Sequence, residues 1–515
     1  MTRTAAEIGA GLAPVRAARP IRAGERIHVV GAAGAGASAA ALLAAHAGAN
    51  VSGCDAGGPS PYTAALDAVG IELARGHDPR HVEADPRPDR LAVTKALTAI
   101  APDNQELTAA RAAGIPIEPW QQVVADTAVD RRLIAVAGTH GKSTTAGWLV
   151  HLLAIAGRDP SAFVGALMPE ALTGGSQATA RVGAGQEFVV EADEYAGNFD
   201  AYRPDVVLLT TIEWDHPDVF ADEAAVLDAF ETWLRRVPEA TLVANLGDAG
   251  VDALVRRVAD RPGPVVGVQL EAPDGAPPQA GLGPTPRPVP GSTVDRFVSG
   301  AARLTARTTL LWLFDHRTGV QLVDVVIPTA GWHNAANAAV VAGAALAIGL
   351  GPEEIAEGLR TFPGIGRRLE RKGEARDIVV YDDYGHHPTA IRATIRALRQ
   401  LEPGRRTWAV YEPLTYHRTA ALLDDFAAAL ATADAVAIAD IWAGRDPDTT
   451  IVSPAALADA IGRLRPEIPR ATPGSVEATA DWLAGEVRPG DAVLVMGGGR
   501  SYRIGERLLE LLEPR

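Results

Sequence analysis

A glycine-rich segment at positions 138–145 carries residue types that can hold a phosphate. Its residues, which follow an apolar run at 133–136, are Gly138, Thr139, His140, Gly141, Lys142, Ser143, Thr144 and Thr145. Glycines permit a tight turn in which several backbone N–H groups point at one phosphate, and the dipole of a following helix adds to the attraction. Lys142 can reach the terminal phosphates of a nucleotide, and the Ser143 hydroxyl is placed to ligate Mg²⁺. A strand-to-helix turn with a solvated lysine is the weaker alternative, because it leaves the paired Lys142 and Ser143 unexplained.

Two acidic segments follow later apolar runs. One contains Glu191, Asp193 and Glu194 after the run 188–190, and the other contains Asp215 and His216 after the run 206–209. In a parallel sheet both segments would lie beside the phosphate loop, since the strands end at the same edge. Either segment alone is more often a solvated loop than a metal site. Beside a phosphate loop, however, carboxylate and imidazole groups become candidate ligands of Mg²⁺.

A second glycine loop lies near the start of the chain. Gly31, Gly34 and Gly36 follow the apolar run 27–30, and Asp55 stands downstream. An acidic residue about twenty positions after such a loop is the general pattern of a dinucleotide site. On these residues alone, an NAD site and a site for another diphosphate both stay open.

These segments lie at the ends of strand-like runs that alternate with helix-like runs, a pattern typical of α/β proteins with parallel sheets. The alternation begins again near residues 133 and 378, so we predict three α/β units in series. The length of 515 residues agrees with several units, because a single hydrophobic core does not serve such a chain. The stretch 262–291 is rich in Pro, Gly and Ala, and we predict a loop without chemical function there.

Composition and charge narrow the class of protein. A formal net charge of −15 argues against non-specific binding to nucleic acid or to an anionic membrane. The one cysteine, Cys54, excludes an internal disulfide framework and a cage of thiolates. The chain shows neither a signal-peptide core nor an apolar run of membrane-spanning length. We therefore expect a soluble cytoplasmic protein, a monomer or homodimer, whose partners are small molecules.

Taken in order, the motifs resemble those of the Mur ligases, the ATP-dependent amino-acid-adding enzymes of cell-wall synthesis. The matching segments are 138–143, 191–194, Asp215-His216, His333-Asn334-Ala335-Ala336-Asn337, Gly366-Arg367-Arg368 and 382–389. The resemblance runs from about Ile27 to the last predicted helix. It implies an α/β fold of three domains. These are a Rossmann-like UDP-binding domain at 20–128, a central P-loop ATPase domain with a mostly parallel sheet at 129–362, and a C-terminal Rossmann-like amino-acid-binding domain at 363–515.

Within the family, the first glycine loop, the Glu-Ala-Asp-Glu form at 191–194, the double histidine before Pro388 and the segment 440–445 resemble those of members that add L-alanine to UDP-N-acetylmuramate. The resemblance implies a ligase of peptidoglycan precursor synthesis that forms an acyl phosphate and uses ATP with two Mg²⁺ ions. The first alternative is a recycling ligase that attaches the L-Ala-γ-D-Glu-diaminopimelate tripeptide to the same sugar. More distant alternatives are a polyglutamate ligase, a catalytically silent nucleotide-binding scaffold and a nicotinamide-dependent reductase.

The resemblance also implies roles for particular residues. The catalytic residues would be Lys142, Glu191, His216 and Arg368, and the Mg²⁺ ligands would be Ser143, Glu191 and His216. ATP would contact Gly138, Thr139, His140, Gly141, Lys142, Ser143, Thr144, His333, Asn334, Asn337 and Asp383. The UDP-sugar would contact Gly31, Gly34, Gly36, Asp55 and His77. The amino acid would contact His387, Tyr416, Arg418 and Arg445.

Four residues depart from the family pattern. Ala33 and Ala37 replace a glycine and a methionine of the first loop, and Thr211 replaces an asparagine before the Asp-His pair. Leu414 stands where the family pattern has a histidine, so the identity of the amino acid is less determined than the chemistry.

Several histidines also have structural interpretations. His77 fits a surface turn as well as a substrate contact, and His333 with Asn337 fits a polar helix face. Of His386 and His387, either could be structural, and His387 is a candidate acceptor for the proton of the incoming amine.

Overall fold

The computed structural model describes residues 2–271, 294–444, 446 and 448–513. Arg445 and the whole Pro-rich stretch at 272–291 lie outside the described residues, so the predictions for them remain predictions. The loop predicted from residue 262 is wrong for Val265–Glu271, because these residues form a buried strand paired on both sides. The described residues form three sheets, each with helices packed against it. Among these residues, the helices are all too short or too polar to cross a membrane.

The first sheet is wholly parallel, with strand order β3-β2-β1-β4-β5. Its strands are β1 (Arg26–Val30), β2 (Asn50–Asp55), β3 (Leu73–Arg75), β4 (Arg90–Val93) and β5 (Ile117–Pro119). The helices of this part are α1 (Ala5–Ile8), α2 (Ala35–His46), α3 (Ala64–Ala68), α4 (Arg80–Glu83), α5 (Lys95–Ile100), α6 (Gln105–Ala112) and α7 (Trp120–Thr127). Side chains alternate between the faces of a strand, so Ile27 and Val29 pack into the core that contains α2, whereas Val30 packs on the α6 side.

The second sheet has the order β15-β14-β13-β12-β11-β10-β6-β9-β7-β8 and is parallel from β13 to β7. Its strands are β6 (Arg132–Ala137), β7 (Ser161–Met168), β8 (Ala178–Arg181), β9 (Glu187–Ala192), β10 (Val206–Leu209), β11 (Thr241–Asn245), β12 (Val265–Glu271), β13 (Arg296–Thr305), β14 (Thr308–Asp315) and β15 (Val320–Ile327). Its helices are α8 (Lys142–Ile155), α9 (Glu170–Thr173), α10 (Glu223–Arg235), α11 (Ala249–Arg257), α12 (Trp332–Ala347) and α13 (Pro352–Arg360), with a 3₁₀ segment at Tyr195–Ala201. Strand β10 is buried at every position, as expected for a central parallel strand covered on both faces.

The third sheet has the order β16-β17-β21-β18-β19-β20 and is parallel except for the edge pair β16 and β17. Its strands are β16 (Glu370–Ala375), β17 (Ile378–Asp383), β18 (Arg406–Glu412), β19 (Ala435–Ala439), β20 (Arg470–Gly474) and β21 (Asp491–Gly497). Its helices are α14 (Pro388–Leu401), α15 (Tyr416–Ala421), α16 (Leu423–Leu430), α17 (Pro454–Leu464), α18 (Val476–Glu486) and α19 (Tyr502–Leu512).

The prediction of three α/β units with mostly parallel sheets is confirmed. The proposed domain boundaries after residues 128 and 362 fall between successive sheets, and they remain a proposal. In each unit the loops that follow the parallel strands gather at one edge of the sheet, which is where ligands of such folds bind.

Candidate active site

The phosphate loop joins the central strand β6 to helix α8. Its backbone requires glycine at two places, because Gly138 has φ 132° and Gly141 has φ 81°. A Cβ at Gly141 would lie 2.5 Å from the side-chain oxygen of Asn337, so the loop and α12 approach closely there. The loop is tied to the neighbouring strand end, since the Thr139 N–H donates to the Thr211 carbonyl over 2.7 Å. Thr211 thus supports the loop through its backbone carbonyl and through its hydroxyl, which accepts the His140 N–H over 2.9 Å.

Lys142, at the first turn of α8, lies among carbonyls and carboxylates. Its Nζ donates to the Gly138 carbonyl over 2.6 Å and to Glu194 Oε2 over 3.0 Å, and it lies 3.7 Å from Asp193 Oδ1. Burial acts to lower the pKa of Lys142, but the neighbouring carboxylates, Glu194 above all, raise it well above its usual value. The Lys142 ammonium is therefore charged, and it is held against the backbone of the loop.

Ser143 and Glu191 form the first candidate metal site. The Ser143 hydroxyl donates to Glu191 Oε1 over 3.1 Å, and the other carboxylate oxygen accepts the Gly165 N–H over 2.6 Å. Arg368 reaches this pair from the third unit, because its Nη2 donates to Ser143 Oγ over 2.7 Å. The guanidinium carbon also lies 4.9 Å from the centre of the Tyr384 ring, so the arginine is held on two sides.

His216 lies in a second cluster, with Asp193 and Glu194. Ligand atoms of these three residues lie within 4.8 Å of one another. His216 has φ 56°, a left-handed conformation that is uncommon for a side-chain-bearing residue and orients its ring toward Glu194, with Nε2 3.7 Å from Oε1. Burial raises the pKa of Glu194 to about 7, against the lowering effect of Lys142. Of the three predicted metal ligands, Ser143 and Glu191 therefore lie in the first candidate site and His216 in the second cluster. Both sites are adjacent to Lys142.

Arg418 connects the third unit to the second cluster. Its Nε donates to Asp215 Oδ1 over 2.8 Å, and its Nη2 lies 3.1 Å from His216 Nδ1. Arg418 is only 2% exposed, and the pKa of Asp215 lies well below its usual value because the guanidinium outweighs the effect of burial. The geometry thus places Arg418, predicted at the amino acid, beside the candidate metal cluster.

A third polar cluster joins the loop to α14. His140 pairs with Glu213, whose Oε1 lies 3.5 Å from His387 Nδ1. His387 Nε2 lies 3.2 Å from the Trp214 carbonyl, and its Nδ1 accepts the Thr389 N–H at the start of α14. Burial lowers the pKa of His387, which leaves its imidazole neutral. His386 instead contacts the Tyr384 carbonyl through Nδ1, over 2.9 Å.

The remaining predicted ATP contacts surround the loop at different distances. Asn334 and Asn337 are both buried on one face of α12, where Asn337 approaches Gly141. His333 stands at the start of the same helix, burial lowers its pKa to about 4, and its Nδ1 is buried without a hydrogen-bond partner. Asp383 ends β17 and accepts backbone N–H groups of the third unit, so it acts there as an organiser of the backbone around Arg368.

The first-unit glycine loop has the geometry of a strand-to-helix turn. Gly31 has φ 81°, and Gly34 caps the N-terminus of α2. Gly36 lies against the ring of Trp120, so a side chain there would collide with it. Asp55 Oδ2 accepts the Ala33 N–H over 3.0 Å, which ties the loop to the end of β2. The N–H groups of residues 31–34 are bonded within the unit, so a diphosphate at this place would meet the N–H groups of the first turn of α2.

His77 lies apart from the glycine loop, turned into the first unit. Its Nδ1 lies 3.4 Å from Glu106 Oε2 and 3.3 Å from Cys54 Sγ. Of the predicted amino-acid contacts, Tyr416 opens α15 and is half-buried, while Arg445 is outside the described residues. Leu414 is buried and forms a β-bridge with Trp442.

Several site residues were not assigned individual roles from the sequence. Glu194 contacts Lys142, and Glu213 contacts both His140 and a histidine of the third unit. In the sequence, the feature that could have indicated both roles is the position of each acidic residue after a strand that was predicted to lie beside the phosphate loop.

Comparisons with known proteins agree with this architecture. The family descriptions "Mur ligase family, catalytic domain", "Mur ligase middle domain" and "Mur ligase, glutamate ligase domain" match residues 26–132, 136–345 and 367–499. The UDP-N-acetylmuramate–L-alanine ligase of Gloeobacter violaceus is 36% identical over 96% of this chain and 98% of its own. The corresponding ligase of Kineococcus radiotolerans is 36% identical over 95% of this chain and 97% of its own.

Two solved structures are similar in fold. The UDP-N-acetylmuramate-alanine ligase of Thermotoga maritima superposes with a TM-score of 0.73 at 22% identity, covering 94% of this chain and 98% of that one. A murein peptide ligase of Psychrobacter arcticus gives a TM-score of 0.67 at 24% identity, covering 95% and 99%. The predicted resemblance is confirmed, and the chain belongs to the Mur ligase family.

Proposed function

We propose that this chain is an ATP-dependent ligase that joins L-alanine to the carboxylate of UDP-N-acetylmuramate. The two curated relatives described above carry that activity in their names and align over nearly the whole chain. The observation that carries the proposal is the phosphate loop on which Lys142, the Ser143–Glu191 pair and Arg368 converge.

The reaction begins with an activation step, because a carboxylate is a poor electrophile. Transfer of the γ-phosphoryl group of ATP to the carboxylate oxygen forms an acyl phosphate and releases ADP. The neutral amine of L-alanine then attacks the acyl carbon, forms the amide bond and expels phosphate. Lys142 and Arg368 are the cations that neutralise the charge spread over the transferring phosphoryl group.

The Ser143 hydroxyl, the Glu191 carboxylate and the carboxylates beside His216 offer the oxygen ligands that Mg²⁺ prefers. The Ser143 hydroxyl and the Glu191 carboxylate would hold one ion, and His216 with its neighbouring carboxylates would hold the second. Bound Mg²⁺ supplies positive charge to the phosphate oxygens.

Two further groups position the substrates. The glycine loop before α2 is the proposed site of the UDP diphosphate, with Gly31, Gly34 and Asp55 shaping its backbone. His387 is the proposed acceptor of the proton that the amine releases, on the chemistry of its imidazole alone, because both ring nitrogens already have partners in the folded chain.

The test is phosphate release from Mg·ATP and UDP-N-acetylmuramate with L-alanine, glycine, L-serine or the L-Ala-γ-D-Glu-diaminopimelate tripeptide. We expect release that requires L-alanine and disappears in Lys142→Ala. Lys372→Ala is the matched control, because that lysine lies on β16 and pairs with Glu370. Phosphate release with the tripeptide and with no other acceptor would indicate that the chain catalyses the recycling reaction instead. Tight ATP binding without release for any acceptor would contradict the ligase proposal and favour a silent scaffold.

A further inference from the structure

A buried polar cluster occupies the core of the first unit, on the side of the sheet that α4 and α6 cover. It is formed by His28 of β1, Cys54 of β2, His81 of α4 and Glu106 of α6. Glu106 is fully buried, and Val30, Val82 and Leu107 line the same core. An ionised carboxylate in such a place is costly unless cations or hydrogen bonds compensate its charge.

Each of the four side chains contributes one ligand atom to the cluster. Glu106 Oε1 lies 2.7 Å from His28 Nε2 and 3.1 Å from His81 Nδ1, and Glu106 Oε2 lies 3.2 Å from Cys54 Sγ. The four ligand atoms lie within 4.8 Å of one another. Tetrahedral zinc, with bonds of about 2.0–2.3 Å, separates its donor atoms by roughly 3.3–3.8 Å. The three contacts to Glu106 are shorter than this, so the side chains would have to move apart by several tenths of an ångström, most at His28, to hold the ion.

His28 provides an independent observation. Its side chain is 3% exposed, and its Nε2 is buried without a partner in hydrogen-bond geometry, although Glu106 is close. The opposite nitrogen, Nδ1, lies 2.8 Å from Ser52 Oγ, which fixes the orientation of the ring. A histidine held by a second partner on one nitrogen, with the other nitrogen aimed into a cluster, is the usual arrangement of a metal ligand.

We propose that His28, Cys54, His81 and Glu106 bind one Zn²⁺ ion in the first unit, separate from the proposed Mg²⁺ sites. Two nitrogens, a sulfur and one carboxylate oxygen match zinc, whereas Mg²⁺ favours oxygen ligands and does not suit a thiolate. Binding releases the Cys54 thiol proton to solvent, and the resulting thiolate and the Glu106 carboxylate balance the two positive charges of the ion. The His81 side chain is 19% exposed, which gives the ion a route of entry.

The site would hold together elements that are distant in sequence. The ion would link β1, β2, α4 and α6 at one point, a structural role in which all four positions are taken by protein ligands. This role differs from that of the phosphate site, where ligand positions must stay open for the nucleotide.

The test measures zinc in the full-length protein, purified from zinc-supplemented cells without chelator, by inductively coupled plasma mass spectrometry. We expect one zinc ion per chain that resists dialysis. Cys54→Ser and His81→Asn should each lower the affinity for zinc at least tenfold, roughly the scale of losing a supporting partner. His216→Ala, which alters the proposed Mg²⁺ cluster, is the control and should keep its zinc.

A second readout uses Co²⁺ in place of zinc. The wild-type protein should show a thiolate-to-cobalt absorption band that is absent from Cys54→Ser. His81→Asn keeps the proposal testable if the buried serine prevents folding, because His81 is at the edge of the cluster. Purified protein without zinc and without the cobalt band, or equal zinc in wild type and His81→Asn, would overturn the proposal. Loss of zinc from His216→Ala alone would place the ion at the phosphate site and would also overturn it.

Discussion

Removal of the Arg368 side chain should slow phosphoryl transfer and leave the fold intact. Arg368 is half-buried and donates to the Ser143 hydroxyl over 2.7 Å, beside the proposed position of the phosphates. Removing one donor that stabilises developing charge costs about 10²–10³-fold in kcat, or roughly 2.7–4 kcal/mol. We expect Arg368→Ala to fall in this range, because Lys142 still supplies positive charge from the other side.

The assay is the initial rate of phosphate release at saturating ATP, UDP-N-acetylmuramate and L-alanine, with kcat and KM measured separately. Arg368→Lys should lie between wild type and Arg368→Ala, because lysine keeps the charge and loses the planar fork of donors. Arg371→Ala is the matched control, since Arg371 lies on β16, is 48% exposed at its side chain and pairs with Glu374. Its kcat should stay within about twofold of wild type, as expected for an exposed ion pair.

An Arg368→Ala protein that is folded by circular dichroism and retains kcat within about threefold of wild type would refute the reasoning, because the predicted loss is larger by an order of magnitude. A change confined to the KM for ATP would also refute it, since that pattern indicates equal binding to ground state and transition state.

Two further predictions concern stability. Burial raises the pKa of Asp248 to about 6, above its unfolded value of 3.8, so its contribution to stability is present below pH 4 and is lost as the pH rises through about 6. Asp248→Asn should therefore gain thermal stability relative to wild type between pH 4 and 7, measured as the difference in Tm across that range. Arg90 is 2% exposed and pairs with Glu118 and Asp126, so Arg90→Met should lower the free energy of unfolding by about 3–5 kcal/mol in urea. Arg80→Met, at an 85% exposed side chain, should cost no more than about 1 kcal/mol.

A Tm difference for the Asp248 variant that stays constant with pH would show that its carboxyl titrates normally in the folded protein. Equal losses in the two arginine variants would show that burial of the ion pair does not determine its contribution.

The sequence was most informative where the chemistry is local. Lys142 and Ser143 are neighbours in the chain, and a strand followed by a glycine turn and a helix positions them without help from distant residues. The three α/β units were predictable for the same reason, since each strand and helix carries its own hydrophobic pattern.

Contacts between distant segments were harder to predict. The contact of Arg368 with Ser143 spans 225 residues, and only the family resemblance pointed to it. The role of Glu194 depends on how β9 pairs with β6, which brings the acid to Lys142. The local hydrophobic pattern does not predict which strands distant in sequence pair with each other, or in which register. Contacts that depend on this pairing, such as that of Glu194 with Lys142, are therefore seen only in the folded structure.

The Arg368 contact has a consequence for chimaeras between relatives. Arg368 belongs to the same unit as the segment proposed to recognise the amino acid, although it contacts Ser143 in the proposed phosphate site of another unit. Exchanging that unit for the one from a relative with a different acceptor would therefore transplant part of the phosphate machinery as well. The kcat of the chimaera would depend on how well the arginine of the exchanged unit fits the phosphate loop of this chain. This would hold even if the pocket for the amino acid were unchanged. If these assignments hold, substrate choice and turnover would be exchanged together in this architecture.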